Sequence, residues 1–413
     1  MEKRNKILFI LPNILLLTGC VADARNWKFN FNLFNSDFIE DLFNFRIVQV
    51  SNNLYWGPAS RNKVCTYEFY KDGELLWKNN EQLGYVNIDK ETAKNTKFQV
   101  YAYDGDKLLA KTPVYKYKPV EVPSEADADI IYYPNPFGDE SVFGYAQTKN
   151  DESASQIYDD AQYWIPSSVN CISFRDFSRW KVDINFEKRK TPINIYLSNC
   201  NIVGSFNYYK KNSVLFNFIV SGTNTICPGI AKDSSIASSG LKLPQVNFVG
   251  DGDLTIKGGE PGTYNSEHYS PGYAIEGKKL YNGLSNVCSL KLIGGNGFRG
   301  SEKIHGRGET AQFPLSERIF IRSAIKDGIA IKAGDGGSGA LGPYGTGYDG
   351  GDTYSYKCLV DNLYWRYETF LNNSLGDGSP GAGGLGKYDY YNGKKGKLLD
   401  DLKPNDYLNS LFN

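Results

Sequence analysis

The most constraining feature of this chain is a short strand-like run, ending in glycine, that recurs in its C-terminal half. The copies lie at 253–259, 289–295 and 328–334, and in each of them aliphatic residues alternate with polar or small ones. The equivalent residues Ile256, Leu292 and Ile331 are 36 and 39 positions apart. Short strands that recur at a nearly constant period predict a solenoid, in which each coil buries its inward side chains on the coil below.

Earlier alternating runs lack the glycine ending but have the same two-residue period. They lie at 181–186, 193–197, 215–220 and 246–249. We therefore predict a right-handed parallel β-helix over residues 161–390, with inward Leu, Ile, Val and Phe in continuous columns. Asparagines recur on these strands, and we expect side-chain ladders among Asn185, Asn194, Asn217 and Asn247.

The run 250–259, Gly-Asp-Gly-Asp-Leu-Thr-Ile-Lys-Gly-Gly, resembles coils of bacterial β-helical carbohydrate-binding proteins, including the pectate-binding kind. The resemblance extends over residues 190–300. It implies a β-solenoid that binds carbohydrate.

Glycine-rich insertions follow the repeated strands, at 294–300, 334–351 and 376–386. Flexible linkers are one interpretation of this composition. Because the insertions follow equivalent strands, a solenoid aligns them side by side. We expect them to extend as neighbouring loops on one edge and to pair backbone to backbone.

Tyrosines in and beside these insertions are the candidate ligand-binding residues, because their rings and hydroxyls suit sugar rings or a protein surface. The alternative is that they pack over the loops as lids. The candidates are Tyr264, Tyr269, Tyr344 and Tyr348.

Residues 44–118 contain seven short period-two runs with turn residues between them, such as the strict alternation at 97–103. They predict a small antiparallel sandwich. Their order resembles a fibronectin type III domain, with Trp56 as the buried tryptophan and Tyr67 facing it. Phe98 stands where that family usually has tyrosine. The resemblance implies a spacer or a binding module.

The acidic, proline-bearing run 119–129 predicts a linker, which we extend over 119–160. Residues 20–43 are interpreted as a tether and residues 391–413 as a C-terminal tail.

The N-terminus has the three parts of an export signal: a short basic start, an apolar run from Ile7 to Leu17, and small residues before Cys20. Leu17-Thr18-Gly19-Cys20 resembles the bacterial lipobox, which implies cleavage of 1–19 and lipid on Cys20. An ordinary signal peptide with an incidental cysteine is the alternative. Val21 follows Cys20, so no Asp retention signal stands there, and we expect an outer-membrane or cell-surface location.

Charge excludes one class of partner. The chain has 46 basic and 46 acidic residues, and no basic stripe stands out, so we expect no nucleic acid. Apart from Cys20, six scattered cysteines remain, without metal-ligand spacing; we interpret them as buried single thiols.

No recognised catalytic motif is present. The two histidines, His268 and His305, have no partner spacing that indicates a metal or a triad. Aspartates lie in the glycine-rich loops, where calcium binding is the alternative to a turn-forming role. They are Asp335, Asp349, Asp352 and Asp377. We predict no catalytic residue, no cofactor and no metal.

Together these patterns predict an all-β, lipid-anchored extracytoplasmic protein with a solenoid head for non-catalytic adhesion or carbohydrate binding. Its expected partners are the membrane, through Cys20, and a polysaccharide or a host or neighbour-cell protein. A polysaccharide lyase or hydrolase on a β-helix is the runner-up, and a structural envelope protein is third.

Replacement of Cys20 tests the anchor. In a bacterial host that processes lipoproteins, Cys20→Ser should abolish incorporation of labelled palmitate, because the thioether cannot form. Cys288→Ser is the matched control and should keep the label. Labelling of the Cys20→Ser chain would refute the lipobox assignment.

Overall fold

The fold is described from a computed structural model of the 413-residue chain. It describes residues 45–50, 53–56, 59–60, 65–79, 85–89, 92–119, 125–136, 143–149, 153–231, 237–261, 270–284, 288–298, 310–316, 320–323, 328–341, 348–355, 357, 359, 373–385 and 392–399. Cys20 and residues 1–19, predicted to be an export signal, lie outside these residues.

The N-terminal part forms two antiparallel sheets. A three-stranded sheet has the order β1 (Ile47–Val50), β2 (Asn53–Trp56), β5 (Tyr85–Asn87). A five-stranded sheet has the order β4 (Glu74–Asn79), β3 (Thr66–Lys71), β6 (Lys97–Asp104), β7 (Lys107–Lys111), and β8 (Tyr115–Lys116) also pairs with β6.

One aromatic core joins these two sheets. Trp56, 2% exposed, stacks on Phe69 with ring centroids 5.6 Å apart, and Phe69 stacks on Phe98 at 5.3 Å. Tyr67 is buried, and its hydroxyl accepts a hydrogen bond from the amide of Ala59. The prediction that Trp56 is a core residue is confirmed.

The C-terminal part contains a nine-stranded sheet. In spatial order its strands are β11 (Ala154–Ile157), β10 (Gly144–Thr148), β9 (Ile130–Pro134), β13 (Cys171–Arg175), β15 (Ile193–Ser198), β18 (Leu215–Ser221), β21 (Gln245–Gly250), β24 (Lys279–Leu284) and β26 (Phe320–Ser323). From β9 to β26 every pairing is parallel.

An eleven-stranded sheet lies beside it in two arms that meet at β14 (Trp180–Phe186). One arm continues through β16 (Asn201–Val203), β19 (Thr223–Ile226), β22 (Asp253–Lys257), β25 (Leu290–Ile293), β27 (Ile329–Lys332) and β29 (Asn373–Ser374). The other comprises β12 (Ala161–Ile165), β17 (Phe206–Asn207), β20 (Leu241–Lys242) and β23 (Ile275–Glu276). Two further short strands, β28 (Thr353–Tyr354) and β30 (Leu398–Leu399), pair with each other, and one 3-10 turn spans Glu125–Asp127.

The chain visits these sheets in turn and returns to each one a strand further along, so the parallel pairs join successive coils. Ile256, Leu292 and Ile331 are register partners in β22, β25 and β27, and all three are fully buried. The predicted all-β fold is confirmed, and the long parallel sheets are consistent with a β-helix.

The segment 119–160, predicted to be a linker, contains three strands of the nine-stranded sheet. Its residues after 129 include β9, β10 and β11, and β9 pairs in parallel with β13. The linker prediction rested on the acidic run 119–129, whereas the β-favouring residues that follow it extend the nine-stranded sheet.

The expected asparagine ladder forms on the outer face of the nine-stranded sheet. The side-chain amide of Asn217 donates to Asn194 Oδ1 at 3.1 Å, and that of Asn247 donates to Asn217 Oδ1 at 3.1 Å. Asn185 lies in the other sheet instead. Tyr55 of β2 donates its hydroxyl to Asn247 Oδ1, and its ring lies 5.1 Å from that of Tyr281. The N-terminal sheets therefore pack on the ladder.

The described residues contain neither a membrane-spanning helix nor a disulfide. No helix among them is long and apolar enough to cross a membrane. Their cysteines form no disulfide, and Cys171 and Cys200 are buried as thiols.

Truncation of a core aromatic tests the stacked columns. Phe218 is fully buried between Phe248 and Phe206, with ring centroids 5.5 and 5.6 Å away. Phe218→Ala should lower the free energy of unfolding by about 3–5 kcal/mol, because it removes buried apolar surface and leaves a cavity. The measurement is the urea midpoint by circular dichroism. Leu75→Ala, at a position 49% exposed, is the control; equal shifts for both would contradict the stacking.

Candidate functional site

The glycine-rich segments pair with one another through their backbones, as predicted. We call segments 336–341, 348–352, 378–385 and 393–397 the glycine bundle. Its donors recur every third residue: the amides of Gly378, Gly381 and Gly384 donate to the carbonyl oxygens of Tyr354, Gly351 and Tyr348 at 3.2, 2.9 and 2.7 Å. The same three-residue step links Gly336 to Ser379 and Gly339 to Ala382. A period of three is that of the polyproline II conformation, which has no internal hydrogen bonds and must find partners outside its own segment.

Close approach between segments explains why these positions are glycine. A Cβ on Gly381 would stand 1.9 Å from the carbonyl oxygen of Gly337, and one on Gly350 would stand 2.0 Å from that of Gly381. Real Cβ atoms do not approach backbone oxygens so closely. Missing side chains, rather than unusual backbone torsions, are thus what the bundle requires at these two positions.

The segment directions bring four segment ends together. The backbone amide of Tyr348 donates to the carbonyl oxygen of Ala340, and the carbonyl oxygen of Tyr348 accepts the amide of Gly384. The carbonyl oxygen of Gly384 accepts the amide of Gly393. Leu341 and Leu385 are next along the chain and are 39% and 74% exposed. We call this group, Ala340, Leu341, Tyr348, Gly384, Leu385 and Gly393, the loop end.

Of the four tyrosines proposed to bind ligand, the structure describes one. Tyr348 lies at the loop end and is half-buried. Tyr264, Tyr269 and Tyr344 lie outside the described residues, as do His268 and His305.

The loop aspartates hold neighbouring segments. Each of three aspartates accepts a backbone amide at its Oδ1, at 2.7–2.9 Å. Asp335 accepts from Ser379, Asp349 from Lys394 and Asp352 from Lys397. Burial raises the pKa of Asp335, but the amide of Ser379 and the ammonium of Lys332 outweigh it and hold that pKa below its usual value. Among the described residues, no three acidic, histidine or cysteine side chains converge to hold a metal ion.

Sequence reasoning missed a polar ladder that runs into the bundle. Asn296 donates its side-chain amide to Glu260 Oε1 at 2.6 Å, and its Oδ1 accepts the amide of Asp335 at 2.9 Å. Glu260, Asn296 and Asp335 each follow the glycine that ends one repeated strand, and they are 36 and 39 residues apart. That shared position was the available signal.

The arrangement is a hydrogen-bonded platform that presents two exposed leucines and a tyrosine at one end. These exposed leucines make the loop end the candidate site. Comparison of the chain with family models, curated proteins and solved structures finds no match.

A single added methyl group tests the bundle. Gly381→Ala should destabilise it by about 1–3 kcal/mol, because the new Cβ overpacks against the Gly337 carbonyl. Hydrogen exchange of residues 378–384 should speed up. Gly229→Ala is the matched control, since the nearest heavy atom to its Cβ is 3.7 Å away. Unchanged protection in the Gly381→Ala chain would rule out the packed bundle.

Proposed function

We propose that this chain is an extracytoplasmic lipoprotein, anchored through Cys20 at the outer membrane or cell surface, whose head mediates non-catalytic adhesion or carbohydrate binding. In this proposal the N-terminal unit is a fibronectin type III-like domain and the head is a right-handed parallel β-helix. The strand orders β1-β2-β5 and β4-β3-β6-β7 around Trp56 support the first. The parallel register between successive coils supports the second.

One observation carries the functional part: the loop end groups Leu341, Tyr348 and Leu385 on a scaffold whose segments are fixed by backbone hydrogen bonds. A rigid scaffold lowers the entropic cost of binding, because its contact residues are already ordered. Leucine and tyrosine suit the apolar face of a sugar ring or a hydrophobic patch on another protein.

The bonding of the loop aspartates favours binding over catalysis. A glycoside hydrolase needs two carboxyl groups placed for proton transfer and for nucleophilic or water attack. Asp335, Asp349 and Asp352 each accept a backbone amide from a neighbouring segment, which gives them a structural role. We therefore place binding before the lyase and hydrolase alternative.

Substitution at the loop end tests the function. Cells that display the full-length protein should adhere to a glycan array, or to a host or neighbour-cell surface, without releasing sugar products. Leu385→Asp should weaken adhesion about tenfold, because it places a charge in the apolar contact. Tyr348→Ala should weaken it as well.

Ile230→Asp is the matched control, since Ile230 is also a large exposed aliphatic residue, 66% exposed, outside the loop end. Its adhesion should equal that of the unmodified protein. If Leu385→Asp adhered as well as Ile230→Asp, or if reducing sugar were released, the adhesion proposal would fail.

A further inference from the structure

A second surface with recognition chemistry lies on the shorter arm of the eleven-stranded sheet, away from the glycine bundle. Strands β12, β14, β17, β20 and β23 are side by side there. The backbone register aligns one outward residue from each strand in a row across the coils. The row is Trp164, Asn185, Asn207, Lys242 and Glu276. We call it the Trp164 row.

Two aromatic side chains stand out from this face. Trp164 on β12 is 57% exposed, and Tyr209, two residues beyond Asn207, is 59% exposed. Two strand spacings separate their strands, which corresponds to about 10 Å along the solenoid axis. Aromatic rings with this exposure are available to stack on a ligand.

Short polar side chains occupy the row on β14 and β17, next to Trp164. Asn185 and Asn207 are 4% and 5% exposed, so they form a floor below the longer side chains. The side-chain amide of Asn207 donates to Ser205 Oγ at 2.7 Å, and Ser205 Oγ donates to Asp183 Oδ1 at 2.7 Å. These bonds hold the Asn207 side chain in place in the absence of a ligand.

The two charged residues of the row are paired. Lys242 Nζ lies 3.0 Å from Glu276 Oε1, and Ser239 Oγ donates to Glu276 Oε2 at 3.0 Å. Burial raises the pKa of the Tyr209 hydroxyl; the positive charge of Lys242 lowers this pKa, and the negative charges of Asp183 and Glu276 raise it. The row thus offers hydrogen-bonding groups and no net positive charge for an acidic polymer.

We propose that the Trp164 row binds an extended, neutral polysaccharide that runs along the solenoid axis. Trp164 and Tyr209 stack on sugar rings, whose C–H faces suit aromatic rings. The Tyr209 hydroxyl, Lys242 and Glu276 meet the sugar hydroxyls. The polysaccharide lies along the axis because the row itself does: each successive coil contributes one residue to it, one strand spacing further on. The paired charges favour a neutral chain over a uronic acid polymer.

This site goes beyond the adhesion proposed above and does not depend on the loop end. Trp164 and Tyr209 belong to the first coils of the solenoid, whereas Leu341, Tyr348 and Leu385 belong to the glycine bundle. Substitutions in the two places therefore report on separate proposals.

Affinity electrophoresis of the full mature chain tests the site. Gels contain hydroxyethyl cellulose, xylan or mannan as neutral probes, and alginate as the acidic probe. At least one neutral probe should retard the protein more than alginate does. Trp164→Ala and Tyr209→Ala should each weaken that retardation about tenfold, as the loss of an aromatic anchor does. Tyr209→Phe keeps the ring and should lose less.

Ile230→Ala is the control, because it removes a large side chain, 66% exposed, that lies outside both the Trp164 row and the loop end, and it should leave the retardation unchanged. Circular dichroism of each variant should match the unmodified protein, since both rings are more than half exposed. A chain that no probe retards, or one whose retardation survives Trp164→Ala and Tyr209→Ala, overturns the proposal. Retardation by alginate alone overturns the neutral ligand, and capture of another protein through Trp164 overturns the polysaccharide.

Discussion

Parallel hydrogen bonding between successive coils is the constraint on which the rest of this structure depends. It brings Ile256, Leu292 and Ile331 into register, so that each buried aliphatic residue covers the one in the previous coil. Burial of each such side chain is worth about 1.5–3 kcal/mol. Because the register is fixed inside, the outward residues of the same strands are also fixed in rows.

Those rows give the polar residues their roles. On the nine-stranded sheet the outward row is the asparagine ladder, and the N-terminal sheets add Tyr55 to it. Elsewhere an Asp or Asn oxygen accepts an amide from the next coil, as Asp183 does from Ser205 and Asp253 does from Ser289. These polar groups are thus satisfied between coils, which makes coil spacing specific as well as stable.

The glycine bundle follows from the same stacking with a different backbone. Where the coils extend beyond the repeated strands, the segments still run side by side, but they bond every third residue. Segments this close leave no room for a Cβ at Gly381 or Gly350. The hydrogen bonds of the bundle fix the positions of its segment ends, and Leu341, Tyr348 and Leu385 lie at one of these ends. On the Trp164 row, by contrast, ordinary strands carry the exposed side chains.

Local patterning was sufficient to predict much of this architecture. Alternation at 97–103 gave β6 with Phe98, Val100 and Ala102 inward, and the 36- and 39-residue spacings identified strands that pair directly. The glycine-rich insertions were predicted to pair with each other, and they do. These features depend on residues near one another in sequence or on a repeat, so a two-residue period and a constant spacing were enough.

The sequence by itself therefore determined the all-β class, the inward columns and the glycine positions. Only the tertiary structure decided which polar residues meet. Strands such as β17, β20 and β23 have two residues each, too few to show a period, and coil lengths vary, so the Trp164 row could not be read from spacing. Likewise Tyr55 and Asn247 are 192 residues apart. Their contact depends on how the N-terminal sheets pack on the nine-stranded sheet, and no local pattern encodes that packing.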